Sequence, residues 1–219
     1  MVSLKLVLVA ICFLLLIFGI GYFEGNPLTS RVTTQLVIIQ PYVATCTFSL
    51  QPGWNLIGIS CRPSNSSIQA FINESGLKLI SIHAFDTNDT EDPWKSYNPD
   101  LPAWVEQDLN NLDRFNGYWV NSREKHIVNF TGEVVEPTMV ELVAGWNLVG
   151  FPNLDKVNIS DSLKTINNEY SIVYAYNSTD GDWKVYDPNQ PWSTQDLQYM
   201  SHNLGFWIKM LTPGVWRVD

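Results

Sequence analysis

The feature that most constrains this chain is an internal duplication. Residues 48–60 read FSLQPGWNLIGIS and residues 140–152 read VELVAGWNLVGFP. Further along, SIHAFD (81–86) matches SIVYAYN (171–177) with one gap, and WKSYNP (94–99) matches WKVYDP (183–188). WVEQDL (104–109) then matches WSTQDL (192–197), and NGYWVN (116–121) matches LGFWIK (204–209). The blocks keep their order at offsets of 88 to 92 residues, so each copy must satisfy the same folding rules. The duplication also accounts for eight of the nine tryptophans: Trp54, Trp94, Trp104 and Trp119 pair with Trp146, Trp183, Trp192 and Trp207. Positions kept in both copies of a diverged repeat read first as packing residues, so these rings are expected in the two cores.

Each copy reads β-β-α-β-β-(α)-β-β. Cys46, Phe48 and Leu50 alternate up to the Pro52-Gly53 turn, and Ile57, Ile59 and Cys61 alternate after it, which is the period of a strand with one buried face. If residues summing to 107 lie opposite one another in a hairpin, Cys46 faces Cys61, which predicts a disulfide. The second copy has Thr138 and Asn153 at those places. A short helix is expected over 67–75, stopped by Gly76, and its counterpart starts at Ser160. A second hairpin runs Leu79–Asp86 and returns through Trp94–Tyr97; its counterpart is Ser171–Asn177 with Trp183–Tyr186. Helical turns are expected around Gln107–Leu112 and Gln195–Met200. Strands follow at Gly117–Val120 and Gly205–Lys209, then at His126–Val134 and Gly214–Val218. The expected fold class is α+β, mostly β: an N-terminal transmembrane helix, then two tandem homologous antiparallel β-rich modules, each with one or two short helices. The expected boundaries are 1–24 for the anchor, 25–44 for a linker or edge strand, 45–137 for the first module and 138–219 for the second.

From Leu6 to Phe23 the chain carries no charge, about the shortest length that crosses a hydrocarbon core. Lys5 precedes this run and Glu24 follows it, so a spanning helix places the N-terminus in the cytoplasm and the rest outside. A cleaved signal peptide is the competing reading and would give a secreted protein. A pilin-type filament helix is a third. Both leading readings put the repeats outside the cytoplasm, where a Cys46–Cys61 pair is oxidised. Asn-x-Ser/Thr acceptors for N-glycosylation stand at Asn65, Asn73, Asn88, Asn129, Asn158 and Asn177. A formal net charge of −9, without a basic cluster, argues against nucleic acid as a partner.

The GWNL opening, the W-x-x-Y hairpin and the GYW or GFW strand recur here as a set. Together they resemble the GWNL…GYW modules of archaeal and bacterial secreted and cell-surface proteins, over residues 48–219. The resemblance implies extracellular placement and a structural or adhesive role, and it supplies no catalytic residues. The expected function is therefore a membrane-anchored surface protein that engages another surface protein or a glycan. A pair of carbohydrate-binding modules is the alternative, to be decided by whether the aromatic rings are buried or exposed. A filament subunit and an enzyme rank below both. The candidate ligand aromatics are Trp94, Tyr97, Trp183, Tyr186 and Trp216. Asp86, Asn88, Asp89, Glu91 and Asp92 crowd one turn and form a candidate calcium site, although Asp and Asn are also ordinary turn residues; no other cofactor is expected. His83, His126 and His202 lack metal-ligand spacing and read as surface or strand histidines.

Overall fold

The computed structural model describes residues 41–219. The expected anchor at 6–23 and most of the 25–44 segment lie outside the described residues. Among the described residues, no helix is long and apolar enough to cross a membrane.

The chain is mostly β, with antiparallel sheets. The first repeat contains β1 (Tyr42–Leu50), β2 (Gly53–Gly58), β3 (Arg62–Pro63), α1 (Ile68–Ser75), β4 (Leu79–Phe85), β5 (Trp94–Tyr97), β6 (Gly117–Ser122) and β7 (His126–Val134). The second contains β8 (Thr138–Leu142), β9 (Gly145–Gly150), β10 (Lys156–Asn158), α2 (Ile159–Ser162), β11 (Tyr170–Asn177), β12 (Asp182–Tyr186), β13 (Tyr199–Ser201), β14 (Gly205–Met210) and β15 (Gly214–Val218). Each repeat has a four-stranded sheet of the same order, β2-β6-β4-β5 in one and β9-β14-β11-β12 in the other. A smaller sheet lies behind each, β1-β7-β3 or β8-β15. The two expected hairpins β4–β5 and β11–β12 are present, and α1 ends on Gly76 in the left-handed region, as expected.

The first hairpin of each repeat is a correction. β1 does not pair with β2. It pairs with β7 along its whole length, from Tyr42↔Val134 to Leu50↔His126, and β2 pairs with β6. The reason lies in the asparagine of GWNL. The Asn55 Oδ1 accepts from the Gln51 N–H at 2.8 Å, and its Nδ2 donates to the Gln51 carbonyl at 2.8 Å and to the Gly53 carbonyl at 2.9 Å. Asn147 does the same with Val143 and Gly145. One side chain thus takes the backbone groups with which a hairpin ladder would begin, and the chain arches from one sheet to the other. Gly53 and Gly145 make the corner at φ of 86° and 97°, a region that costs an L side chain strain. Leu50 and Ile57, like Phe48 and Ile59, therefore meet across a core rather than side by side. The same arch brings Cys46 and Cys61 to a Cα–Cα distance of 6.1 Å as a disulfide. In the second repeat, hydrogen bonds stand in its place: Arg114 donates to Thr138 Oγ1, and Asn153 donates to the carbonyl of Asp219.

No helical turn forms over Gln107–Leu112; in the second repeat a single 3-10 turn forms earlier than expected, at Trp192–Thr194, and ends on Gln195. The Gln-Asp-Leu of each repeat instead lies along the edge strand. Asp108 accepts from the Ser96 N–H at 2.6 Å, the Leu109 N–H donates to the Ser96 carbonyl at 3.1 Å, and Gln107 accepts from the Asn98 N–H. In the second repeat Asp196 accepts from Val185 at 2.6 Å, Leu197 donates to Val185 at 3.1 Å, and Gln195 accepts from Asp187 at 2.9 Å. Side chains thereby occupy β5 and β12 groups that would otherwise template pairing with another chain. Residues 199–201 form β13, which pairs with β10. The second helix also starts elsewhere than expected: Asn158, not Ser160, caps α2, accepting from the Ser160 N–H.

One hydrophobic cluster forms within residues 48–128 and another within 140–218. The large residues inside are Tyr118, Phe151, Phe206 and Trp216, with the aliphatic faces of the helices. Where the two large sheets meet, the contacts are reciprocal. Gly58 N–H donates to the Asn203 carbonyl at 3.2 Å, and its counterpart Gly150 donates to the Phe115 carbonyl at 2.8 Å. A methyl on Gly58 would come within 2.9 Å of the Gly150 Cα, and one on Gly150 within 2.9 Å of the Asn116 carbonyl oxygen. This exchange of equivalent partners is the mark of a local two-fold axis.

The arch has a thermodynamic signature. Asn55→Ala or Asn147→Ala leaves buried backbone groups unpaired and is expected to cost about 1–3 kcal/mol. Trp216→Ala empties a core position and is expected to cost about 3–5 kcal/mol. Trp104, which is 84% exposed, serves as reference, and Trp104→Ala is expected to change stability by less than about 0.5 kcal/mol. Urea unfolding of the full chain measures all four.

Candidate ligand-binding face

The burial of Asn55 and Asn147 decides where their neighbours point. In a strand, adjacent side chains leave on opposite faces, so Trp54 and Trp146 are driven outward. They are 46% and 38% exposed. Trp119 on β6 lies across from Leu56 and His83, and Phe85 lies across from Trp94. The second repeat places Trp207, Tyr174, Tyr176 and Trp183 in the corresponding rows. The expectation that the repeated tryptophans fill the cores is therefore corrected. The rings that belong to the two large sheets lie on their outer faces, and Trp104 and Trp192 are exposed elsewhere.

These outward rings form one connected network. Trp54 meets Trp119 at 6.2 Å and His83 at 5.6 Å; the counterparts are Trp146 to Trp207 at 6.1 Å and to Tyr174 at 5.9 Å. Trp119 then crosses to the other repeat, reaching Tyr176 at 5.3 Å and Trp183 at 5.6 Å. Trp207 crosses in the opposite direction to Phe85 at 5.1 Å and Trp94 at 5.9 Å. The Trp119–Trp183 and Trp94–Trp207 pairs are edge-to-face, the geometry favoured by the ring quadrupoles. Tyr174 also reaches Trp183 at 6.1 Å.

Two adjacent hollows open on this face. One, of about 430 Å³, is lined by Trp54, His83, Trp94, Trp119 and Tyr176. The other, of about 550 Å³, is lined by Trp146, Tyr174, Trp183, Trp207 and Phe85. Position by position they are the same hollow: Tyr174 replaces His83 and Phe85 replaces Tyr176. Each takes four rings from its own repeat and one from the other. Trp216 is the only tryptophan among the described residues whose indole N–H has a protein acceptor, the Ser162 carbonyl at 2.7 Å. The six indole donors of the face, and the hydroxyls of Tyr174 and Tyr176, are left to solvent or ligand.

Of the candidate aromatics, Trp94 and Trp183 belong to this face and are 44% and 47% exposed. The other three are corrections. Tyr97 and Tyr186 alternate inward from Trp94 and Trp183 and are buried; the Tyr97 hydroxyl donates to Gln69 at 2.6 Å. Trp216 is completely buried and stacks on Phe151 at 6.0 Å. Sequence reasoning missed Trp54, Trp119, Trp146 and Trp207 as surface rings. The signal available for two of them was the asparagine after the tryptophan in GWNL, since a small polar residue with three backbone bonds belongs inside the arch.

The acidic turn is built as a turn. Asp86 accepts from the Asn88 N–H at 2.9 Å, and Asp89 accepts from the Glu91 and Asp92 N–H groups at 3.2 and 3.0 Å. The Lys95 ammonium lies 2.6 Å from the other Asp89 oxygen, and its hydrogen bond holds the Asp89 carboxyl below its ordinary range. Among the described residues, no group of three or more His, Cys, Asp or Glu side chains is arranged to hold a metal ion. The acceptor asparagines Asn65, Asn73, Asn88 and Asn129 are exposed, and Asn158 and Asn177 are half-buried.

His83 is the titratable group of the face. Its Nε2 is 2.9 Å from Ser81 Oγ. Burial among the rings pulls its pKa below the ordinary 6.5, against the opposing pull of Asp108. A folded value below the unfolded one means that protonation favours the unfolded chain. Its contribution is intact above about pH 6.5 and is lost as pH falls through the folded value. The melting temperature is therefore expected to drop more steeply from pH 7 to pH 5 in the native protein than in His83→Tyr, which copies the second repeat. Parallel profiles would contradict this.

No protein-family model, curated protein or solved structure matches this chain.

Proposed function

We propose that this chain is a membrane-anchored extracellular carbohydrate-binding protein, in which two tandem GWNL…GYW modules present the ring-covered face to a glycan. The observation that carries this reading is the connected, solvent-facing network of ten rings, five lining each hollow. A contiguous exposed apolar face of this kind marks a binding surface. Its composition selects the ligand class. The two hollows are lined by indole, phenol, phenyl and imidazole rings, without a Leu, Ile, Val or Met. Rings offer flat faces on which the C–H face of a sugar stacks, while the free indole N–H groups and tyrosine hydroxyls meet its oxygens. A hydrocarbon partner would leave those donors without acceptors.

The extracellular half of the proposal draws on the charge-free run at 6–23 and on the Cys46–Cys61 pair, a bond that persists in oxidising compartments. Adhesion through a glycan on another surface is the natural use of such a face.

The full chain in lipid nanodiscs, screened on a glycan array, is expected to select a subset of glycans. Trp119→Ala and Trp207→Ala each remove a ring that packs against rings of the other module and are expected to weaken that binding about tenfold or more, equivalent to about 1.4 kcal/mol. Trp104→Ala, which touches neither hollow, is expected to bind as the native protein does. Silence across the array, or equal loss in all three variants, would overturn the reading.

A further inference from the structure

Beside the ring-covered face lies a polar cleft of about 480 Å³, and Tyr176 is a wall of both. Among its lining residues are Lys156, Lys184, Asp196, Gln198 and Tyr199. The Lys156 ammonium sits 4.3 Å over the Tyr199 ring, which holds the charge at the cleft without neutralising it. Among the described residues, neither Lys156 nor Lys184 is in an ion pair; the lysines that are paired are Lys78, Lys95 and Lys164. Asp196 is committed to the Val185 N–H at 2.6 Å.

The two repeats treat the same lysine differently. Lys95 and Lys184 occupy matching places, opposite Ala84 and Ala175 on the neighbouring strands. In the first repeat Asp89, three residues into the turn, neutralises Lys95 at 2.6 Å. In the second, the residue three into the turn is Asp180, and it accepts instead from Asn177 Nδ2 at 2.6 Å, leaving Lys184 unpaired. The counterpart cleft, where Phe85, Leu148 and Val149 stand for Tyr176, Leu56 and Ile57, has Glu141 as its only charged lining residue. Two clefts of one ancestry thus carry opposite net charge. In a chain with a formal charge of −9, two unpaired ammonium groups in one cleft are the exception.

We propose that this cleft binds the carboxylate of an acidic sugar, a uronic acid unit whose ring stacks at Tyr176 and whose carboxylate lies between Lys156 and Lys184. The proposal rests on the carbohydrate reading and narrows it to anionic glycans. The sugar supplies the negative charge that Asp89 supplies in the first repeat. Its hydroxyls meet Gln198 and the free Asp196 oxygen.

The test uses the full chain in nanodiscs of zwitterionic phosphatidylcholine, which carries no net charge, titrated with glucuronate and with its neutral methyl ester. Glucuronate is expected to bind at least tenfold more tightly at low salt, with the gap narrowing as salt screens the charges. The double variant Lys156→Gln/Lys184→Gln, with its fold checked by circular dichroism, is expected to close the gap by weakening glucuronate binding at least tenfold. Equal binding of acid and ester, a gap that survives in the double variant, or displacement of glucuronate by equimolar acetate would overturn the proposal. If neither probe binds while the array shows neutral glycans, the cleft proposal fails and the ring-face reading stands. Silence in both experiments means that the carbohydrate reading itself has failed.

Discussion

The buried carboxamide of Asn55, with its twin in Asn147, is the interaction on which the rest of the molecule depends. By bonding the backbone two and four residues before it, it ends one strand and starts the next in a different sheet. Three consequences follow from that one placement. The core closes between the sheets instead of beside a hairpin. The cysteines flanking the arch come within bonding distance. The tryptophan that precedes each asparagine is turned to the outside, where it becomes the rim of a hollow. A side chain that is almost wholly buried therefore sets the chemistry of the surface.

The sequence made the architecture more legible than the site. Alternation located most strands to within a residue or two, because a one-residue slip would turn every inward side chain out. His126–Val134 and Gly214–Val218 are found at the bounds expected for them. The pairing of β1 was not legible. Alternation says which side chains share a core but not whether they reach it from one sheet or two, and the bonds that decide the matter belong to an asparagine side chain. The same limit explains the Gln-Asp-Leu segments. Their apolar spacing suits a helical turn, yet their polar side chains satisfy a strand edge, and an edge is a property of the assembled sheet.

The tryptophans were misread for a related reason. Repetition shows that a residue matters in both copies without showing whether it matters to packing or to the surface. Here the repeated rings belong to a shared surface, in which a ring of one repeat completes the hollow of the other. The W-K-x-Y hairpins held the clue: tryptophan and tyrosine on opposite faces cannot both be core. The structure sends Trp94 and Trp183 out and Tyr97 and Tyr186 in.

Each hollow borrows one ring across the two-fold, Tyr176 in one case and Phe85 in the other. A single repeat, whatever its stability, would carry four-fifths of a site. A chain of one repeat would have to form a homodimer to possess either hollow. Two copies carried in one chain can differ where two identical chains cannot. His83 against Tyr174, a paired against an unpaired lysine, and a disulfide against two hydrogen bonds are differences that no symmetric dimer of identical chains could have acquired.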